Sequence, residues 1–153
     1  MTLSPVPNFA RWLESELKAE KSVVITDADR AVLTLMDQPH WWTDPEIFTK
    51  LEDPLRRAAA YYYLRAKAKA GLPVDAVARF HLGNGARLER INWLGDTSDK
   101  AIAQGHGLMV NYLYDLDDIE KNHEAYAEGR TVVASNAVQR LLRPTLELVP
   151  ITG

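Results

Sequence analysis

The sequence predicts an α+β fold, helix-rich with a small sheet, and three observations carry that prediction. Capped, amphipathic segments fill the first half of the chain. Two segments after Pro73 instead alternate in polarity or concentrate β-branched and aromatic residues. The composition, 46% hydrophobic and 25% charged over 153 residues, is that of an ordinary globular domain, which excludes disordered and fibrous classes.

In order, Leu3-Ser4-Pro5-Val6-Pro7 cannot be helical at its centre, because each proline lacks a donor and pushes its predecessor toward extended backbone, so Ser4 is extended. From Asn8, an N-cap residue, the spacing Phe9, Trp12, Leu13, Leu17 predicts an amphipathic helix. Thr26 with Asp29 three residues on reads as a capping box that opens a second helix, stopped by Pro39. Asp44-Pro45 and Asp53-Pro54 each pair an N-cap with a first-turn proline and predict two further helix starts. The second of these should run through the alanine-rich stretch from Leu55 to Ala70, with Leu55, Ala59, Tyr62 and Ala66 inward, and stop at Gly71 and Pro73.

Asp75 then caps a short helix through Leu82, closed by Gly83-Asn84-Gly85. Arg87 to Leu94 alternates with period two and predicts a strand with one solvated face, Asp96 to Gln104 a brief capped helix, and Leu108 to Tyr114 a second strand able to pair with the first. Ser135 caps a last helix with Val138, Leu141 and Leu142 inward, and Pro144 and Pro150 mark an irregular tail over 144–153. Two short strands need covering helices or further strands to be stable, and the helical first half can supply the cover.

Eighteen Lys and Arg against 21 Asp and Glu give a formal charge of -3, which disfavours a nucleic-acid partner. The lack of cysteine excludes disulfides, thiolate metal sites and cysteine nucleophiles. No apolar run approaches the roughly 20 residues that span a bilayer, so the expectation is a cytoplasmic chain with no membrane partner. Common phosphate-loop, dinucleotide, nucleophile-elbow and zinc-protease signatures are missing, and His40, His81, His106 and His123 are scattered too widely for a local metal pair, so no metal site is expected.

His81, just before Gly83-Asn84-Gly85, reads either as a half-buried histidine at a helix C-terminus or as a proton-transfer group facing a cleft. Ser4 reads as a turn hydroxyl or a catalyst, and His106 between two glycines as a ligand contact or a residue tolerating an unusual backbone angle. Trp41-Trp42 and Tyr61-Tyr62-Tyr63 read as core and surface aromatics, and Asp115, Asp117 and Asp118 as a solvated face.

Four segments in order add a specific signal: Leu3-Ser4-Pro5-Val6-Pro7-Asn8-Phe9; Val77-Ala78-Arg79-Phe80-His81-Leu82-Gly83-Asn84-Gly85-Ala86 running into Arg90-Ile91-Asn92-Trp93; Gly107-Leu108-Met109-Val110-Asn111-Tyr112; and Ala134-Ser135. Together they closely resemble the C-terminal part of the malonyl-CoA decarboxylase family, over nearly the whole chain and thinning after Arg143. The resemblance implies residues 1–143 as a partial catalytic domain, the C-terminal portion of a GNAT (acetyltransferase-like) fold with a small mixed sheet. It implies conversion of malonyl-CoA to acetyl-CoA and carbon dioxide without metal or organic cofactor. It also implies Ser4 and His81 as the catalytic pair and Tyr114 and Asn84 as substrate-contacting residues.

The family's glycine-rich pyrophosphate loop and its helical oligomerisation domain precede the Leu-Ser-Pro motif. CoA binding is therefore expected to need an upstream half, and the partners to be malonyl-CoA and either further copies or that complementing segment. Ala76 stands where a proline is usual and His106 where a smaller residue is. The alternative is a non-catalytic partial domain that binds a partner through an open sheet edge; an N-acyltransferase of the same fold is disfavoured by the decarboxylase motifs.

Overall fold

The computed structural model describes residues 2–20, 22, 24–67 and 71–142. Strand β1 (Thr2–Pro5) is followed by helices α1 (Phe9–Lys18) and α2 (Asp27–Leu33), two 3₁₀ turns (Thr34–Asp37 and Trp41–Thr43), and the long helix α3 (Pro45–Leu64). Then come α4 (Ala76–Gly83), β2 (Arg87–Asn92), α5 (Asp99–Gly105), β3 (Met109–Leu113), α6 (Ile119–Gly129) and α7 (Asn136–Gln139). The sheet has the order β1-β3-β2 and is antiparallel along both pairings, with a parallel bridge between Leu88 and Ala134 at its rim. Ser4 is opposite Val110 and Thr2 opposite Tyr112, while Ile91 and Leu88 face the same two β3 residues from the other side.

Directly opposed residues share a face, so Ser4, Leu88, Ile91, Val110 and Tyr112 all point to the buried side of the sheet. That side is covered by α3 and α4, whose Leu51, Leu55, Ala59, Tyr62, Tyr63, Ala78 and Leu82 form the centre of the core. The helix starts follow their caps: Thr26 and Asp29 form the reciprocal capping box, Asp44 accepts from Glu46 and Ile47, Asp75 from Ala78 and Ser135 from Val138.

Four expectations need correction. Asp53-Pro54 starts no helix, because Pro54 lies inside α3. An interior proline costs about 3 kcal/mol, but Ile47, Leu51, Leu55, Ala58 and Tyr62 keep one helical face buried straight through it, and that continuous burial outweighs the lost bond. The same helix ends at Leu64 rather than Ala70, with Lys67 bridging to Pro73. Helix α5 is capped by Ser98, since the Asp96 carboxylate accepts from the Ser98 amide and so shapes the turn before it. Helix α6 was not expected at all. The Asp115 carboxylate and carbonyl accept from the amides of Asp117 and Asp118, so the acidic run is a turn that launches a helix. Leu141 and Leu142 pack on the core from a turn beyond α7, and the tail over 144–153 lies outside the described residues.

Candidate functional site

His81 sits one turn from the end of α4, and this end is fastened by α6. The His123 Nδ1–H donates to the Gly83 carbonyl at 2.7 Å, and Asn122 Nδ2 donates to the Gly85 carbonyl at 3.2 Å. Gly85 adopts φ +90°, and a Cβ there would come 2.5 Å from the Ile119 carbonyl oxygen, so only glycine lets the chain turn from α4 into β2 this close to α6. The clamp fixes the imidazole over the sheet. Its ring stacks on Tyr112 with centroids 4.4 Å apart and an interplanar angle of 23°, and its Nδ1 lies 2.6 Å from the Tyr114 hydroxyl.

Burial lowers the His81 pKa below its ordinary value and raises that of the Tyr114 phenol. At neutral pH the resting imidazole is therefore neutral. A neutral ring protonated on Nε2 accepts at Nδ1 from the Tyr114 O–H, and one protonated on Nδ1 donates there to the phenolic oxygen, as the charged ring does. In each case Tyr114 engages Nδ1, and Nε2 is the nitrogen left for chemistry.

Ser4 lies on the same face of the sheet. It is buried while its neighbour Leu3 is exposed, and it stands opposite Val110, two residues along β3 from Tyr112 and His81. That step is about 7 Å. Among the described residues no hydrogen bond between the two side chains is present. Asn84, at the C-terminus of α4, is exposed and donates from Nδ2 to the Phe80 carbonyl at 3.0 Å, so its amide serves the helix end.

His106 is not part of this set. It takes up the left-handed conformation at the end of α5, φ 54°, and turns its ring edge-on to Phe9. Of the aromatic runs, Trp41, Tyr62 and Tyr63 are core, and Trp42 and Tyr61 pack partly exposed. No cluster of three or more histidine, cysteine or acidic side chains suited to a metal ion occurs among the described residues. No described helix is long and apolar enough to cross a membrane.

Tyr112 was not singled out from the sequence. The signal was present, because Tyr112 and Tyr114 are two apart on a strand and so share a face, but only the tertiary approach of α4 shows that both touch His81.

The fold and site define an α+β domain in which a tyrosine-bonded histidine packs on the face of the sheet that also bears a buried serine. The family model described as malonyl-CoA decarboxylase C-terminal domain matches residues 1–150, and the chain belongs to that family. The crystal structure of malonyl-CoA decarboxylase from Rhodopseudomonas palustris superposes with a TM-score of 0.91 at 48% identity, over 93% of this chain and 32% of that one. That from Agrobacterium vitis gives 0.88 at 50% identity, over 94% and 35%. The mitochondrial malonyl-CoA decarboxylase of Anser anser anser is 34% identical over 90% of this chain and 31% of its own length. The chain thus spans about a third of the length of these relatives.

Proposed function

We propose that this chain carries the acid–base side chains for decarboxylation of malonyl-CoA to acetyl-CoA and carbon dioxide, with CoA held largely by an upstream part of a longer protein. The observation that supports it is His81 with Nδ1 engaged by Tyr114 at 2.6 Å, on the sheet face that also bears Ser4.

In this reading the malonyl carboxylate accepts a hydrogen bond from Ser4, which turns the breaking bond toward alignment with the thioester π system. The arriving negative charge favours the imidazolium, so His81 takes up a proton that its burial otherwise resists. The bond between the α-carbon and the carboxylate carbon breaks, its electron pair enters the thioester enolate, and carbon dioxide leaves. The departing carboxylate no longer stabilises the imidazolium, and Nε2–H delivers its proton to the α-carbon, giving acetyl-CoA. Nδ1–H donates to Tyr114 while the ring is charged, and the neutral ring left after delivery carries its proton on Nδ1. A positioned acid of this kind contributes about a hundredfold to ten-thousandfold.

Tyr114 contacts substrate only at the edge of its hydroxyl, and Asn84 through its exposed carbonyl end. A cytoplasmic location goes with this reading, although the curated relatives are named mitochondrial. Further copies or a complementing upstream segment are the assembly partners, and β1, at the edge of the sheet, is the strand open to them.

The test is conversion of malonyl-CoA to acetyl-CoA by the full-length protein, followed by mass spectrometry beside a His81→Ala variant. Loss of turnover by at least a hundredfold with CoA binding retained is expected. Equal turnover in variant and parent removes His81 from the mechanism.

A further inference from the structure

Strand β1 seats its residues against the ordinary pattern. Ser4 is buried at 7% exposure, while Leu3 stands 57% exposed on the opposite face of the sheet. A slip of one residue along β3 would exchange the two faces, because side chains alternate in a strand. Within the strand, burial favours that slip, since it would take Leu3 out of water and return a hydroxyl to it. The backbone ladder opposes it only modestly. β1 is four residues long, alternate residues alone bond toward a given neighbour, and Pro5 has no amide hydrogen to give. Val6, buried just beyond the strand, is its apolar anchor.

A polar tie on the outward face adds what the strand lacks. Asn111 Nδ2 donates to the Thr2 carbonyl at 3.1 Å. Asn92 directs it there, because its own Nδ2 donates to Asn111 Oδ1 at 2.9 Å and to the Met109 carbonyl at 3.3 Å. With the Asn111 oxygen so engaged, the amide nitrogen is the end turned to β1. Asn92 stands opposite Met109, and Asn111 stands opposite Arg90 on one side and Leu3 on the other. The two asparagines are therefore diagonal neighbours, and their bonds cross all three strands on the face away from the Tyr112 ring that carries His81. A one-residue slip moves the Thr2 carbonyl by about 3.3 Å, out of reach of an amide whose other end is held.

The geometry points to Asn111 as a positioning residue that, directed by Asn92, fixes the register of β1 and so keeps Ser4 on the His81 side of the sheet. This deepens the decarboxylase reading and rests on it for its kinetic consequence.

The experiment is a cycle of Ser4→Ala, Asn111→Asp and the double variant in the full-length protein. Aspartate keeps the shape and still accepts from Asn92, but it has no hydrogen for the Thr2 carbonyl. Asn111→Ser, too short to span the gap, takes its place if the aspartate variant fails to fold. A positioned group displaced by about 1 Å can cost a hundredfold in rate. Asn111→Asp is accordingly expected to lower kcat at least fivefold with KM within about twofold, and to add less than twofold in the Ser4→Ala background, because it acts through that hydroxyl. Parent-like kcat in a folded Asn111 or Ser4 variant, or losses that multiply in the double, overturns the inference. A second readout needs no turnover. Hydrogen exchange at the Leu3 and Ser4 amides should quicken about fivefold in Asn111→Asp, while the Leu55 and Ala59 amides of α3 keep parent rates. Unchanged exchange in β1 overturns the inference even if the parent proves inactive on malonyl-CoA, whereas quickened exchange confined to β1 in an inactive parent upholds the tie and sinks only the decarboxylase reading.

Discussion

Tyr114→Phe removes one oxygen and little else, and the structure states what that oxygen does. It lies 2.6 Å from Nδ1 of His81, and it accepts from Nδ1–H when the ring is charged. A neutral hydrogen bond contributes about 1 kcal/mol net and one to a charged group about 1.5–3. The phenol therefore favours the imidazolium by about 1 kcal/mol, and since one pKa unit corresponds to about 1.4 kcal/mol, its loss lowers the His81 pKa by roughly half a unit to one unit. Burial already holds that pKa below the ordinary histidine value, so the change acts in the same direction. In the proposed mechanism the active form is the protonated one, so activity should decline as pH rises and the variant should decline earlier. In the full-length protein, kcat/KM for malonyl-CoA measured from pH 5.5 to about 9 should show its basic limb displaced downward by that half to one unit, with a loss of about three- to tenfold at neutral pH. A Tyr114→Phe enzyme with its basic midpoint unmoved refutes the argument, whatever its plateau rate, because the phenol would then discriminate nothing between the two protonation states.

Two further predictions concern the frame. Gly85→Ala places a Cβ against the Ile119 carbonyl and forces a side chain into φ +90°, and it should cost about 2–4 kcal/mol in denaturant unfolding; a parent-like midpoint would show that α6 is free to move away. Burial lowers His106 to about 4, so the folded state binds fewer protons than the unfolded one between that value and about 6.5. The stability is therefore fully present above about pH 6.5 and is lost as pH falls toward 4, by about 2 kcal/mol after allowing for the ring's partial exposure. His106→Asn, which tolerates the left-handed conformation, should flatten that slope, and an unchanged pH dependence of unfolding would assign the acid lability to other groups.

What the sequence made legible was local. Caps announce themselves because a short polar side chain is followed at fixed spacing by an amide in need of an acceptor, and Thr26, Asp44, Asp75 and Ser135 all read correctly. Pro54 misled because its first-turn preference is a local rule, overruled here by a buried face that continues for five turns. Helix α6 stayed hidden because its inward residues, Asn122 and Tyr126, are not an apolar stripe; Asn122 is buried for its bond to Gly85, a contact 37 residues back. The site shows the same division. Ser4 and His81 came from a resemblance of motifs, but the pairing of His81 with Tyr114 spans 33 residues and the stacking on Tyr112 spans 31, distances at which no periodicity informs. Asp75 was read as a cap, which it is.

The two catalytic candidates are held to very different degrees, and this bears on how an active unit is built. His81 rides on a helix capped by a buried aspartate, clamped at its far end by α6 and pressed on a central strand. Ser4 belongs to a four-residue edge strand, joined to the sheet along β3 alone. Edge strands open locally at far lower free energy than central elements. Under the proposed mechanism, an opening of β1 would remove the Ser4 hydroxyl while leaving His81 in place, so the histidine would lack a positioned substrate. A segment that pairs with the free side of β1 adds backbone hydrogen bonds to the strand that most lacks them, and by holding Ser4 opposite Val110 it raises the fraction of molecules in which both groups are poised. The upstream part of a longer chain and a second copy both meet that requirement. They differ in kinetics: turnover per chain that rises with the concentration of this chain alone points to the copy, whereas turnover that appears only when the upstream part is supplied points to the segment.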